Sequence, residues 1–403
     1  MKIGIVTHYY KSKNYGGNLQ AYALCKAIEK LGFTAEQIPY DRQFDGPFWG
    51  KNKAPISILV KKVLRKVRAA CVSFSEKKKN EKLIPLFEER SRTIENFNIN
   101  KIPHSEKVFT AKNIKDANSL YDVFITGSDQ VWHPDAVCGA YLLDFASEDK
   151  TKVSYAASLA VGSLTDVQKK RYSASLSSFD FVSVREAGAV SLIEDICPQK
   201  PVWVLDPTLL LEESEWNELV GDDEKYNKHN IESDYVFCYF LGDDKNSRKA
   251  ASDFAKKKGL KLVTIPYLHG KARECDDNFA DVNLFDVCPL EFISLIKNAK
   301  YIFTDSFHAS VFSLIFRREF FVFERRAGGV SMGSRIESLV SLFDLKERYI
   351  VSGENVNCEY VSSLSEIDYT REFPKFIEAR QSSFNFLKDS LAGVRGKESG
   401  YED

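Results

Sequence analysis

Tyr301-Ile-Phe-Thr-Asp-Ser-Phe-His-Ala-Ser-Val-Phe-Ser-Leu-Ile-Phe316 is the stretch whose reading decides how this chain folds. A short apolar run, Tyr301 to Phe303, stops at the polar cluster Thr304, Asp305, Ser306 and His308. An apolar segment with helical character, Ala309 to Phe316, follows at once. The pattern is a buried strand, a turn and a helix start, with a histidine held at the turn. In open parallel sheets, ligands bind outside the carboxyl ends of the strands, where helix N-termini present free N–H groups. His308 therefore stands where chemistry is done. The alternative is a histidine that only caps the helix.

Outward from this unit, the same alternation repeats. Lys2 to Val6 reads as a strand, Tyr15-Gly-Gly-Asn18 as a glycine turn, and the following helix runs to Leu31 with Gly32 as its stop. Leu19, Ala23, Ala27 and Leu31 give that helix one apolar face. Strands are expected at 123–125, 153–156, 181–184 and 202–205. After Asp206-Pro207-Thr208 the pattern restarts, with strands near 235–241, 261–265, 301–303 and 320–323 and helices at 246–258, 289–298 and 334–343. Two α/β blocks are expected: Rossmann-like domains facing each other across a cleft. Their expected limits are 1–205 and 206–372, with a basic helical insertion at about 51–100 and a terminal helix and tail at 373–403.

Composition narrows the function. The chain has 403 residues, with 56 basic and 57 acidic side chains, so nothing pulls it as a whole toward nucleic acid. Eight scattered cysteines form no CxxC pair and no Cys/His cluster, which speaks against a zinc site or a disulfide framework and for reduced thiols in a cytoplasm. No metal-ligand constellation is visible, so a metal-independent reaction is expected. The first residues read as a strand rather than a signal peptide, and no apolar run has membrane-spanning length. Residues 51–82 carry eleven Lys or Arg against only Glu76 and Glu81, beside an apolar stripe of Ile56, Leu59, Val60, Val63, Leu64 and Val67. Such a helix either packs its stripe on the domain or makes peripheral contact with an anionic membrane surface.

Tyr121-Asp-Val-Phe-Ile-Thr-Gly-Ser-Asp-Gln-Val-Trp132 is the second strong signal. A buried strand ends in a small-residue turn that delivers Ser128, Asp129 and Gln130, and Trp132 offers a flat face of the kind sugars stack on. The alternative is an Asx turn closed by Asp129, with Trp132 in the core. Phe181-Val-Ser-Val-Arg-Glu186 delivers Arg185, whose guanidinium suits a phosphate or carboxylate, or an ion pair with Glu186 or another acid. Gly328-Gly-Val-Ser-Met-Gly-Ser-Arg335 places Ser334 and Arg335 at a helix start, behind a loop with the composition of a lid. Leu205-Asp-Pro-Thr-Leu209 reads as a hinge before it reads as a ligand contact. Tyr15-Gly-Gly-Asn-Leu-Gln20 lacks the dinucleotide glycine pattern and the P-loop lysine, which gives no support to NAD or ATP.

In order, NYGGNLQAYAL, FITGSDQVW, VSYAASLAV, VSVREAGAV, VLDPTLLL, FTDSFHASVFSLIF and GSRIESLVSLFDLKER resemble the polysaccharide pyruvyl transferase family over roughly residues 1 to 350. The resemblance implies a two-domain fold like that of GT-B glycosyltransferases. It also implies transfer of the enolpyruvyl-derived group of phosphoenolpyruvate to sugar hydroxyls, giving a pyruvate ketal on a cell-surface glycan or lipid-linked precursor. By the same resemblance His308 is the general acid/base, with Asp129 beside it. Arg185, Arg335, Ser306 and Ser334 are donor-binding, and Asn18, Gln20, Ser128, Gln130 and Trp132 face the acceptor. No cofactor is implied beyond the donor, and the oligomeric state is left open. One departure stands out: family members can carry Arg-Leu-His where this chain has Ser306-Phe307-His308. Either Arg335, Arg318 or Arg325 then supplies the missing charge, or the donor differs. The competing expectations are a GT-B glycosyltransferase using a nucleotide sugar and a non-catalytic glycan-binding protein.

Overall fold

The computed structural model describes residues 1–45, 74–221, 231, 234–266, 273–327, 330–331, 333–351, 353 and 356–398. Most of the basic stretch 51–82, and part of the lid-like loop before Ser334, lie outside these residues.

Strand β1 (Lys2–Val6) is buried from Ile3 onward and enters helix α1 (Tyr15–Lys30) through a turn capped by Asn14, whose side chain accepts from the Gly16 N–H. Strands β2 (Thr34–Gln37), β3 (Val123–Thr126) and β4 (Thr151–Ser154) complete a parallel sheet in the order β2-β1-β3-β4. Isolated bridges carry it on to the short parallel pair β5 (Ser183–Val184) and β6 (Val202–Trp203). Helix α2 (Phe74–Lys101) precedes β3 and runs through Pro85, so residues beyond 82 extend the helical character that the basic stretch suggested.

The second sheet is also parallel. Its strands are β7 (Tyr235–Tyr239), β8 (Lys261–Thr264), β9 (Val282–Asn283), β10 (Tyr301–Thr304), β11 (Glu319–Phe323) and β14 (Tyr349–Ile350). A small antiparallel pair, β12 (Arg326–Ala327) and β13 (Val330–Ser331), lies between β11 and β14 in the chain. The sheet order β14-β11-β10-β7-β8-β9 is the doubly wound arrangement, reversing between β7 and β10. The first sheet reverses between β1 and β3. Each reversal leaves a crevice at the carboxyl edge, because the helices on either side of it run to opposite faces.

The two sheets are joined through packed side chains. Tyr15 stacks on Phe292 of α7 (Pro289–Asn298) at 4.8 Å between ring centroids, and its hydroxyl donates to the Val287 carbonyl at 2.8 Å. Arg90 of α2 donates to the carbonyls of Pro266, Leu284 and Phe285 in the second block. The last helix, α11 (Pro374–Glu398), returns to the first: Ser383 Oγ accepts the Leu205 N–H at 2.9 Å, and Arg380 donates to the Leu210 carbonyl at 2.8 Å. No described helix is long and apolar enough to cross a membrane.

Candidate functional site

The two reversal points meet. Helix α8 (Phe307–Ile315) starts immediately after β10 and is capped by Ser306. Its second residue, His308, packs against the start of α1 so closely that a Cβ on Gly16 would lie 2.0 Å from the imidazole Nδ1. Only glycine lets the two helix starts approach in this way. From the first sheet, β3 ends in Gly127, with φ of +111° and no space for a Cβ against the Tyr155 carbonyl. The Gly127–Ser128 peptide is cis, and Asp129 sits at φ of +64° in the left-handed region. From this turn the Ser128 hydroxyl and the Asp129 carboxylate both reach Arg185.

Arg185, which follows β5, is at the centre. Its Nη1 donates to Asp206 Oδ2 at 2.6 Å and to Ser128 Oγ at 3.4 Å. Asp129 lies 3.6 Å from Nη2 and Glu186 lies 3.9 Å from Nε, and neither of those nitrogens makes a hydrogen bond. Asp206 is 1% exposed, accepts from both the N–H and the hydroxyl of Thr208, and lies 3.5 Å from His308 Nε2. Burial would raise its carboxyl pKa. The positive field of His308 and Arg185, with the Thr208 hydrogen bond, outweighs burial and holds the group well below the ordinary carboxylate range. Asp129 behaves alike: burial pushes up, and Arg185, His8, His308 and Arg335 together pull it below its usual value.

Arg335, the second residue of α9 (Ser334–Leu342), is 8% exposed. Its guanidinium lies 5.9 Å from the Phe307 ring, and that of Arg185 lies 4.9 Å from the same ring. Among the described residues Arg335 has no hydrogen bond and no ion pair. Burial, then repulsion from Arg185, draws its pKa down to about 10. Glu186 and Asp129 attract it only from beyond ion-pair distance, and a buried guanidinium with no direct partner beside a second guanidinium marks a place for an anion. Arg325 follows β11 at the same edge and is half-buried. Arg318 precedes β11 and so stands at the opposite edge of the parallel sheet. Of the three arginines considered as replacements for the charge absent at Ser306, topology leaves Arg335 and Arg325.

A second group of buried polar atoms lacks partners on the side of the first sheet: Asn18 Oδ1, Gln130 Nε2 and His8 Nε2. Buried polar atoms are nearly always paired, and these three all follow β1 or β3 at the carboxyl edge of the first sheet, a setting that suits a polar ligand. The His8 ring is 4.5 Å from that of Tyr141, and burial, partly offset by Asp129, lowers its pKa to about 4. The imidazole is therefore neutral at neutral pH.

Several expectations are corrected. Trp132 is fully buried, stands edge-on to Phe179 and donates its indole N–H to the Tyr141 carbonyl, so it has no face for a sugar. Gln20 is fully buried with its amide committed to Thr7, the Gly17 carbonyl and the Ser128 N–H. It braces the Ser128 turn instead of meeting an acceptor. The Ser128 hydroxyl bonds the Ala156 carbonyl and Asp206, Ser306 is used as the α8 cap, and Ser334 is exposed at the start of α9. Asp206, read as part of a hinge, is the counter-ion of Arg185. His8 joins the site without having been singled out in the sequence, and Glu186, expected as an ion-pair partner of Arg185, stands 3.9 Å from its Nε. Among the described residues no group of three or more His, Cys, Asp or Glu is arranged to hold a metal ion.

Paired Rossmann-like domains with a site between their carboxyl edges define a GT-B-like fold, and solved structures agree. UDP-GlcNAc 2-epimerase from Methanocaldococcus jannaschii superposes with a TM-score of 0.54 at 15% identity, covering 99% of this chain and 100% of that one. The Neisseria meningitidis UDP-GlcNAc 2-epimerase, solved bound to UDP-GlcNAc, gives 0.52 at 13% identity over 99% and 100% of the two chains. A putative UDP-N-acetylglucosamine 2-epimerase from Listeria monocytogenes gives 0.52 at 12% identity over 100% and 97%. At such identities the likeness is one of fold. No curated protein matches the sequence. The family model described as polysaccharide pyruvyl transferase matches residues 14–326, and this chain belongs to that family.

Proposed function

We propose that the protein transfers the pyruvyl group of phosphoenolpyruvate to two hydroxyls of a glycan or lipid-linked glycan precursor, forming a ketal and releasing phosphate. The observation that carries this reading is the unpaired, buried Arg335 beside Arg185, with the unbonded Nε2 of His308 at the same crevice. Phosphoenolpyruvate brings a phosphate and a carboxylate, which two guanidiniums and the α8 N-terminus suit.

In this scheme His308 protonates the methylene carbon, and the electron-poor C2 takes the first hydroxyl oxygen as that hydroxyl gives up its proton. The C2–O–phosphate bond then breaks with its electron pair passing to phosphate, and the second hydroxyl adds. Of the two hydroxyl protons, one replaces the proton given to carbon and one leaves with phosphate. Asp206 orients Arg185 and His308, and Asp129 lies beside both. Asn18, Gln130 and His8 offer the acceptor hydroxyls their unpaired atoms. No metal enters the scheme. The proposed setting is the cytoplasm or the inner membrane face, in biosynthesis of a cell-surface polysaccharide.

The test is His308→Ala, assayed for phosphoenolpyruvate binding by thermal shift and for phosphate release with acceptor glycans. Retained stabilisation by the donor with lost turnover is expected. Unimpaired turnover in the variant would remove His308 from the chemistry.

A further inference from the structure

With Trp132 in the core, the aromatic platform for a sugar has to be sought elsewhere. Trp216 is also fully buried, which leaves Trp203, at the end of β6, as the partly exposed tryptophan among the described residues. Its indole N–H donates to the Arg185 carbonyl at 3.0 Å, which fixes the ring one residue's reach from the site's central arginine. The ring lines a cavity of about 780 Å³ together with Gly188 of α4 (Ala187–Glu194) and residues from α9 and α11.

The rest of the lining is mostly polar. Ser334, Glu337 and Ser338 share one face of α9 by helical spacing, and Glu378 of α11 joins them. Its lining includes Ser334, the neighbour of Arg335, and Ala187, the neighbour of Glu186. A fixed aromatic ring in one lining with hydroxyls, carboxylates and the ammonium groups of Lys346 and Lys375 is chemistry that suits a pyranose: C–H groups lie on the ring and hydroxyls meet the polar groups.

We propose that this trough, with Trp203 as its platform, binds the saccharide units that flank the accepting sugar. The inference rests on a glycan being the acceptor, as proposed above, and extends that site along one side of the crevice. A Cβ on Gly188 would meet nothing within 4 Å, so a bulky side chain there enters the trough without disturbing the fold.

The experiment uses full-length protein carrying 5-fluorotryptophan. The Trp203 resonance is assigned with Trp203→Phe. Methyl β-D-galactopyranoside, methyl β-D-glucopyranoside, methyl α-D-mannopyranoside and N,N′-diacetylchitobiose are titrated singly, and phosphoenolpyruvate in a parallel sample. At least one saccharide is expected to shift the Trp203 resonance saturably, with half-saturation weakened by about tenfold or more in Gly188→Phe. Glu378→Gln serves as a second variant, with weakened saccharide binding expected. A Trp203 resonance unmoved by all four saccharides, or a response in both variants as strong as in the wild type, overturns the trough. The donor titration separates the two readings. Stabilisation by phosphoenolpyruvate without a saccharide response removes the trough alone. A saccharide response without donor binding keeps the trough and removes the transfer reaction.

Discussion

Asp206→Asn is the perturbation whose cost follows most directly from the geometry. The carboxylate is 1% exposed and holds the buried Arg185 through a 2.6 Å contact. Asparagine keeps the shape and the acceptor for Thr208 but removes the charge, leaving a guanidinium with only Asp129 and Glu186 at 3.6 and 3.9 Å. Breaking a buried pair by removing one partner costs about 3–5 kcal/mol, and the two remaining acids should hold the loss near the lower end. Urea unfolding at pH 7 followed by circular dichroism gives the number, and Arg185→Met supplies the cycle. The double variant should cost about 1–3 kcal/mol less than the sum of the singles, since the stranded charge is then gone. The effect should also depend on pH in one direction. A carboxyl whose folded pKa is depressed contributes fully above its unfolded value, about 3.9, and loses that contribution as pH falls toward the folded one. The wild-type advantage over Asp206→Asn should therefore be flat from pH 5 to 7 and shrink below about pH 4. A loss under about 1 kcal/mol, or additive singles, would refute the pairing argument.

Two further outcomes are expected. Gly16→Ala places a methyl where the structure has the His308 imidazole, 2.0 Å from Nδ1, so the ring must swing away. Turnover should fall by about 100-fold with little change in apparent donor affinity, read as a drop in kcat at nearly constant KM for phosphoenolpyruvate. A variant with wild-type kcat would show that His308 need not stand where it does. Turnover should also survive exhaustive treatment with EDTA, and loss restored by a divalent ion would replace the metal-free scheme.

The fold was legible because both sheets are parallel and buried: their strands read as short apolar runs ending in polar turns, and His308, Arg185 and Asp129 all follow such ends. β2 escaped, since Thr34-Ala-Glu-Gln37 is short and polar at every position but Ala35. Asp206 was misjudged for a physical reason. Asp-Pro-Thr is a turn signature in its own right, and here the same carboxylate both caps Thr208 and pairs with Arg185. Trp132 misled in the opposite way, because an aromatic after a polar turn looks the same whether the chain next goes into the core or along the surface. The orphaned atoms of His8, Asn18 and Gln130 depend on what lies across the crevice, which one-dimensional spacing does not carry.

The most direct test of the central claim is calorimetric titration of phosphoenolpyruvate, with UDP-GlcNAc as comparator, into wild type and Arg335→Met. The variant removes a buried charge that has no partner among the described residues, so without ligand it should be as stable as wild type or more stable. Phosphoenolpyruvate should bind the wild type, Arg335→Met should weaken that binding by about 10- to 100-fold, and UDP-GlcNAc should not bind. Binding of UDP-GlcNAc without phosphoenolpyruvate, or equal donor affinity in the two proteins, would contradict the assignment of Arg335 to the donor.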